Sequence, residues 1–124
     1  MVRNMSKRIL VIDDDPVLVK MVETRLRANG YETSATNDAA VGLETAIKKS
    51  PDLIILDVMM PIINGYNMCS LLKSNEKSRK IPIIMLSSRS EKKDKVIGHE
   101  VGADVYMTKP VEMDELLQKI NELI

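Results

Sequence analysis

Four short stretches of this chain carry groups suited to handling a charged substrate, and each directly follows an apolar run. Asp13, Asp14 and Asp15 follow Ile9–Ile12, and Asp57 follows Leu53–Leu56. Ser87 and Ser88 follow Ile83–Leu86, and Thr108, Lys109 and Pro110 follow Val105–Met107. Two or three carboxylates brought together cannot all ionise comfortably without a cation. A hard divalent ion with oxygen ligands, Mg²⁺ or Mn²⁺, resolves that conflict, and such ions pair one or two carboxylates with waters and a phosphate. A lysine at the far side would add fixed positive charge. Together these groups would offset the charge of a transferring phosphoryl group, the main task in that chemistry.

Taken singly, each piece has a plainer use. Asp15 precedes Pro16 and reads as a helix N-cap, Ser87 or Ser88 could cap a helix starting near Glu91, and Lys109-Pro110 alone says little. The informative feature is joint: all four stretches stand at the ends of different apolar runs.

Those runs have the character of strands buried on both faces of a parallel sheet, the first three unbroken and rich in Ile, Val or Leu. Glu32–Ala35 is a weaker, edge-strand pattern. Between them lie helical patterns. After Asp15-Pro16, the residues Val17, Leu18, Met21, Val22 and Leu26 predict an apolar stripe. Asn37 is expected to cap the next helix, with Ala40, Leu43, Ala46 and Ile47 on one face and Pro51 limiting its length. Gly65–Ser74 carries Met68, Cys69, Leu71 and Leu72. Glu91–Val101 is expected to bury Val96, Ile97 and Val101, and the last helix Met113, Leu116, Leu117, Ile120 and Leu123.

This is β-α repeated five times with no break in composition, which implies right-handed crossovers and a parallel sheet covered on both sides. Ligands in such sheets bind beyond the carboxyl ends of the strands, where strand order reverses. Chain order alone leaves the common doubly wound orders open. In the order 2-1-3-4-5, strands one and three are neighbours about 4.8 Å apart, and Asp14 and Asp57 crowd each other.

Composition narrows the field. The 124 residues suit one domain, with 44% apolar and 29% charged residues in an ordinary globular balance. Eighteen basic and eighteen acidic side chains leave no global field to attract nucleic acid or anionic membrane. Tyr31, Tyr66 and Tyr106 are the only aromatics, too scattered for a stacking platform. One cysteine, Cys69, excludes an internal disulfide framework and reads as a small buried hydrophobe; His99 reads as a helix surface residue. The polar, basic start and short first apolar run match neither a signal sequence nor a membrane span, so the expected location is cytoplasmic.

The motifs bear a family resemblance. Ile9 to Pro16, with its three aspartates, resembles the opening of bacterial response-regulator receiver domains. Asp57-Val58-Met59-Met60-Pro61 with Asn64-Gly65 is similar to their phospho-acceptor segment, and Pro82 to Ser87 to their fourth strand with its switch hydroxyl. Gly102-Ala103-Asp104, Tyr106 and Lys109-Pro110 resemble their closing motif. The resemblance covers residues 8–124, with 1–7 as a short extension, and implies the flavodoxin-like (βα)5 receiver fold of order 2-1-3-4-5.

The resemblance also implies roles. Asp57 is the phospho-acceptor, supplied by a phosphohistidine on a sensor histidine kinase or a histidine phosphotransfer protein. Asp13, Asp14 and Asp57 hold Mg²⁺ or Mn²⁺, with the Met59 backbone carbonyl as a further ligand. Lys109 contacts phosphoryl oxygens, and the Lys109–Pro110 bond is cis. Ser87 moves to the phosphoryl group, Tyr106 turns inward after it, and the face formed by the fourth helix, fifth strand and fifth helix changes state. Met59 and Arg89 flank the site and tune water access.

Asn64, Ser88 and Val111 stand where the family more often has Asp, a small apolar residue and Phe. Ile62-Ile63, apolar for a loop, is expected either to dock the kinase partner or to tuck against the third helix. The implied protein is a phospho-acceptor regulator, not an enzyme, acting on a downstream protein target or output domain. It binds no nucleic acid or membrane directly and is a monomer or an activation-dependent dimer. It is read as a stand-alone regulator or as the N-terminal receiver of a larger one with a DNA-binding or enzymatic output.

Two other chemistries fit less well. A haloacid-dehalogenase-type phosphatase shares the D-x-D of Asp13-Asp14-Asp15, but Gly102–Lys109 supplies only Asp104 where that fold needs an acidic pair. A flavodoxin-like electron carrier needs a hydroxyl- and glycine-rich phosphate loop where this chain has Asp13–Pro16.

Overall fold

Alternation along each strand divides the core in two. In the computed structural model, which describes residues 6–61 and 63–124, β1 (Arg8–Ile12), β3 (Leu53–Asp57) and β4 (Ile83–Ser87) are buried on both faces. Ile9, Val11, Leu53, Ile55, Ile84 and Leu86 point to one side, where α1 (Pro16–Ala28) and α5 (Met113–Leu123) supply Leu18, Val22, Leu26, Leu116 and Ile120. Leu10, Ile12, Ile54, Leu56, Ile83 and Met85 point to the other, against α2 (Ala39–Lys49), α3 (Gly65–Ser74) and α4 (Lys92–Glu100). This period of two is what a doubly covered sheet requires.

With β2 (Glu32–Thr36) at one edge and β5 (Val105–Thr108) at the other, the order is β2-β1-β3-β4-β5, all parallel. The reversal of strand order therefore falls between β1 and β3. Ile12 pairs with Leu56, so Asp13 and Asp57 leave the sheet side by side.

Local signals explain most boundaries. The Asp15 carboxylate accepts from the Val17 and Leu18 amides, with Pro16 beginning α1, and Glu112 caps α5 through the Asp114 and Glu115 amides. α2 is capped by Asp38, whose side chain accepts from Val41 N at 3.1 Å, and not by Asn37. Ala46 is buried as expected, but Ala39 and Gly42 turn inward with it and Ala40 is exposed. Other stripes are narrower than their apolar spacing suggested: Val17, Met21 and Leu71 are exposed.

The largest departure is α4. Val96 and Ile97 are 45% and 40% exposed, and the residues turned inward are Asp94 and Gly98. No large apolar side chain of this helix is fully buried, so spacing of apolar residues pointed to the wrong face. Cys69 is buried as expected, and burial pushes its thiol up to about 11. Ile63 is partly buried against the core on the α2–α4 side; Ile62 lies outside the described residues. Among the described residues, no helix is long and apolar enough to cross a membrane.

Candidate functional site

The rim where β1 and β3 end brings three carboxylates together. Asp13 and Asp57 are buried and Asp14 is exposed, and one oxygen from each lies within 4.8 Å of the others. Asp13 Oδ1 is held by the Asp15 amide at 2.9 Å, and Asp57 Oδ1 by the Met59 amide at 3.1 Å. The buried Asp13 Oδ2 has no aligned hydrogen bond. A buried charged oxygen is costly unless positive charge faces it.

Lys109 supplies part of that charge. It follows β5, and its side chain crosses the end of β4 to place Nζ 3.1 Å from Asp13 Oδ2 and 3.3 Å from Asp57 Oδ1. The Lys109–Pro110 bond is cis, as the resemblance implied, and the Lys109 amide donates to the Ser87 carbonyl at 2.7 Å. Ser87 itself ends β4 and is buried, its Oγ accepting from the Arg89 amide at 3.0 Å, while Ser88 is exposed. Ser87 does not cap α4: the N-cap is Glu91, with no side-chain bond.

Electrostatics follow from this crowding. Burial first, then the neighbouring Asp13 carboxylate, push Asp57 up to about 6, against the pull of the Met59 amide and Lys109. For Lys109, burial works to lower the pKa, but hydrogen bonding and attraction from Asp13 and Asp57 outweigh it and raise the ammonium above its ordinary value. One ammonium is thus shared by two buried acids, with a third beside them. The donor set, all hard oxygens with three carboxylates facing one ammonium, fits Mg²⁺ or a similar ion.

Of the residues singled out by their place after apolar runs, Asp13, Asp14, Asp57, Ser87 and Lys109 gather on this rim, while Asp15 caps α1 and Ser88 is exposed. Contacts among the neighbouring residues were not legible, even where the motifs name the residues themselves, Gly65 and Tyr106. Gly65 begins α3 so close to the end of β3 that a Cβ there would lie 2.5 Å from the Asp57 carbonyl oxygen, and its amide donates to Val58 O at 2.8 Å. Tyr106 on β5 is half-buried and already turned in, with its hydroxyl donating to the Arg89 carbonyl at 2.9 Å. Beside it stands Tyr66 of α3, hydroxyl to hydroxyl at 3.3 Å. Nothing in the spacing of three scattered tyrosines signals that two of them touch. Buried Asp94 is a further surprise, since its place in a charged stretch reads as solvated; Arg89 Nη1 lies 3.9 Å from it.

An acid-lined reversal point with a bridging lysine on a β2-β1-β3-β4-β5 sheet defines a class of phosphoryl-handling α/β signalling domains. Comparison with known proteins narrows it. The family model for the response regulator receiver domain matches residues 9–121. The chain is 38% identical over 117 residues to the DNA-binding dual master transcriptional regulator RpaA of Synechocystis, covering 94% of this chain and 48% of that protein. It therefore spans about half the length of that relative. The chemotaxis protein CheY4 of Vibrio cholerae superposes with a TM-score of 0.90 at 28% identity, covering 97% of this chain and 100% of that one. The receiver domain of a Pseudomonas aeruginosa sensor histidine kinase, with magnesium coordinated in its active-site cleft, superposes with a TM-score of 0.87 at 26% identity, covering 96% and 98%. The chain belongs to the response regulator receiver domain family of two-component signalling.

Proposed function

We propose that Asp57 is the phospho-acceptor of this receiver. One observation carries the reading: Asp57 lies buried at the end of β3, next to Asp13, with a single lysine reaching both. At neutral pH a carboxyl titrating at about 6 is mostly ionised and able to attack. An Asp57 oxygen bonds to the phosphorus of a phosphohistidine on a sensor kinase or phosphotransfer protein. The P–N bond breaks, and the imidazole leaves with the electron pair and takes up a proton. Lys109 then faces the added oxygens as a fixed charge. Asp13, Asp14 and Asp57, with the Met59 carbonyl, would hold Mg²⁺ or Mn²⁺, which supplies further charge neutralisation when bound.

In this reading Ser87 gives up its bond from the Arg89 amide to donate to the phosphoryl group. Tyr106, bonded to the Arg89 carbonyl, reports that change, and the α4-β5-α5 face passes it to a protein target. The receiver unit is taken as residues 8–124, with 1–7 as an extension. Exposed Met59 stands at the mouth of the site, and Met59→Asn is expected to shorten the acyl-phosphate lifetime by easing water access; an unchanged half-life argues against that role.

A second reading concerns output. RpaA is a DNA-binding regulator of which this chain matches about half, which favours the receiver portion of a longer regulator over a stand-alone protein. The length of the natural gene product decides between them. The acceptor assignment is tested by incubation with Mg²⁺ and a small acyl phosphate. Intact mass is expected to rise by one phosphoryl group and Asp57→Asn to abolish the gain, whereas an undiminished gain in that variant would place the acceptor elsewhere.

A further inference from the structure

We propose that Tyr66 is a clamp that holds Tyr106 turned inward before any phosphoryl group arrives. The inference rests on the proposed switch role of Tyr106 and adds a residue that sets its resting position.

The proton inventory of the two phenols is complete. Tyr106 spends its one proton on the Arg89 carbonyl at 2.9 Å, so its oxygen faces Tyr66 as an acceptor. The Tyr66 proton is then shared between that oxygen and the Asp94 carbonyl, each 3.3 Å away. Burial first, and then the Tyr106 hydroxyl beside it, push the Tyr66 phenol upward, so it remains a neutral donor through the physiological range. Without the Tyr66 hydroxyl, an inward Tyr106 keeps its bond to Arg89 but presents an acceptor to the edge of an apolar ring. Turned outward, the same oxygen is hydrated. The Tyr66 hydroxyl therefore favours the inward position specifically.

Placement gives the clamp its reference point. Tyr66 follows Gly65, which is pressed against the backbone of Asp57 and Val58, so the clamp is anchored to the acceptor segment and not to the β4–α4 loop. On the opposite side Gly98 of α4 leaves the room: a Cβ there would lie 2.6 Å from Tyr106 Cδ2. Arg89 links the two ends, its amide on Ser87 Oγ and its carbonyl on Tyr106. With Tyr106 already seated, phosphorylation is left to move Ser87 and α4, and Tyr106 passes on that change through its bond to the Arg89 carbonyl.

The test uses the full chain labelled with 3-fluorotyrosine, in the absence of Mg²⁺ and phosphoryl donor, with the three resonances assigned by single Tyr→Phe variants. The fluorine solvent-isotope shift between H₂O and D₂O reports exposure of each ring. Tyr106 is expected to show a small shift in the natural sequence and a larger one in Tyr66→Phe. The inward-to-outward ratio should fall roughly two- to tenfold, as loss of one hydrogen bond between neutral groups implies. An isotope shift for Tyr106 that is the same in both proteins, or already that of the unfolded chain in the natural sequence, overturns the clamp. Because the readout precedes any donor, it is independent of Asp57 labelling, which intact mass on the same samples reports separately.

Discussion

Two helices flank β5, and they are seated by different means. α5 buries Leu116 and Ile120 completely between β5 and α1, and its first turn is tied to α1 by the Arg25–Asp114 ion pair. α4, on the other face, turns inward only Asp94 and Gly98, leaves Val96 and Ile97 to solvent, meets α3 through the Tyr66 hydroxyl on the Asp94 carbonyl, and meets β5 through the Tyr106 ring over Gly98. Apolar burial is worth about 1.5–3 kcal/mol for each large side chain, whereas a neutral hydrogen bond contributes about 1 kcal/mol net. A helix held by the second kind of contact can shift at lower cost. The fold thus places its movable element beside its fixed one, with the acid cluster at the end of both.

The largest expected effect is on the fixed side: Leu116→Ala should lower stability by about 2–5 kcal/mol in urea unfolding, the range for a cavity at a fully buried leucine. A cost below 1 kcal/mol would remove the contrast. Gly98→Ala comes next, at about 1–3 kcal/mol for overpacking against Tyr106. It should also drive that ring outward, visible as increased solvent exposure in fluorotyrosine spectra.

Asp57→Asn should stabilise the metal-free protein at pH 7 by on the order of 1–2 kcal/mol after allowance for solvent screening. The sign follows from the raised pKa. A carboxyl at about 6 in the folded state and near 3.8 unfolded favours folding fully below about 3.8, and that contribution is lost as pH rises through 6. The gain from the substitution should therefore grow between pH 4 and pH 7; a pH-independent gain would show that titration is not its source. Smallest is Ile97→Ala, which at 40% exposure should change stability by less than about 1 kcal/mol. A larger loss would mean that α4 is held by apolar burial after all.

The same asymmetry decides what could be read in advance. Strands buried on both faces, Asp15-Pro16 at the start of α1 and the periodic α5 were legible because apolar periodicity and capping control them locally. So was the rim, since any residue just past a strand in this topology arrives there. α4 was misread because tertiary contacts, a ring over Gly98 and a buried Asp94, override its apolar spacing. The Tyr66–Tyr106 pair and the close approach of Gly65 to Asp57 join residues far apart in sequence or depend on backbone proximity, and neither leaves a periodic trace.

The most direct test of the shared-cation site is a crystal grown with Mn²⁺ and measured at an anomalous wavelength. An anomalous peak should appear among the carboxylates of Asp13, Asp14 and Asp57, at ordinary metal–oxygen distances and adjacent to Lys109. Manganese found only at other surface acids, with Asp13 and Asp57 facing Lys109 alone, would contradict the account.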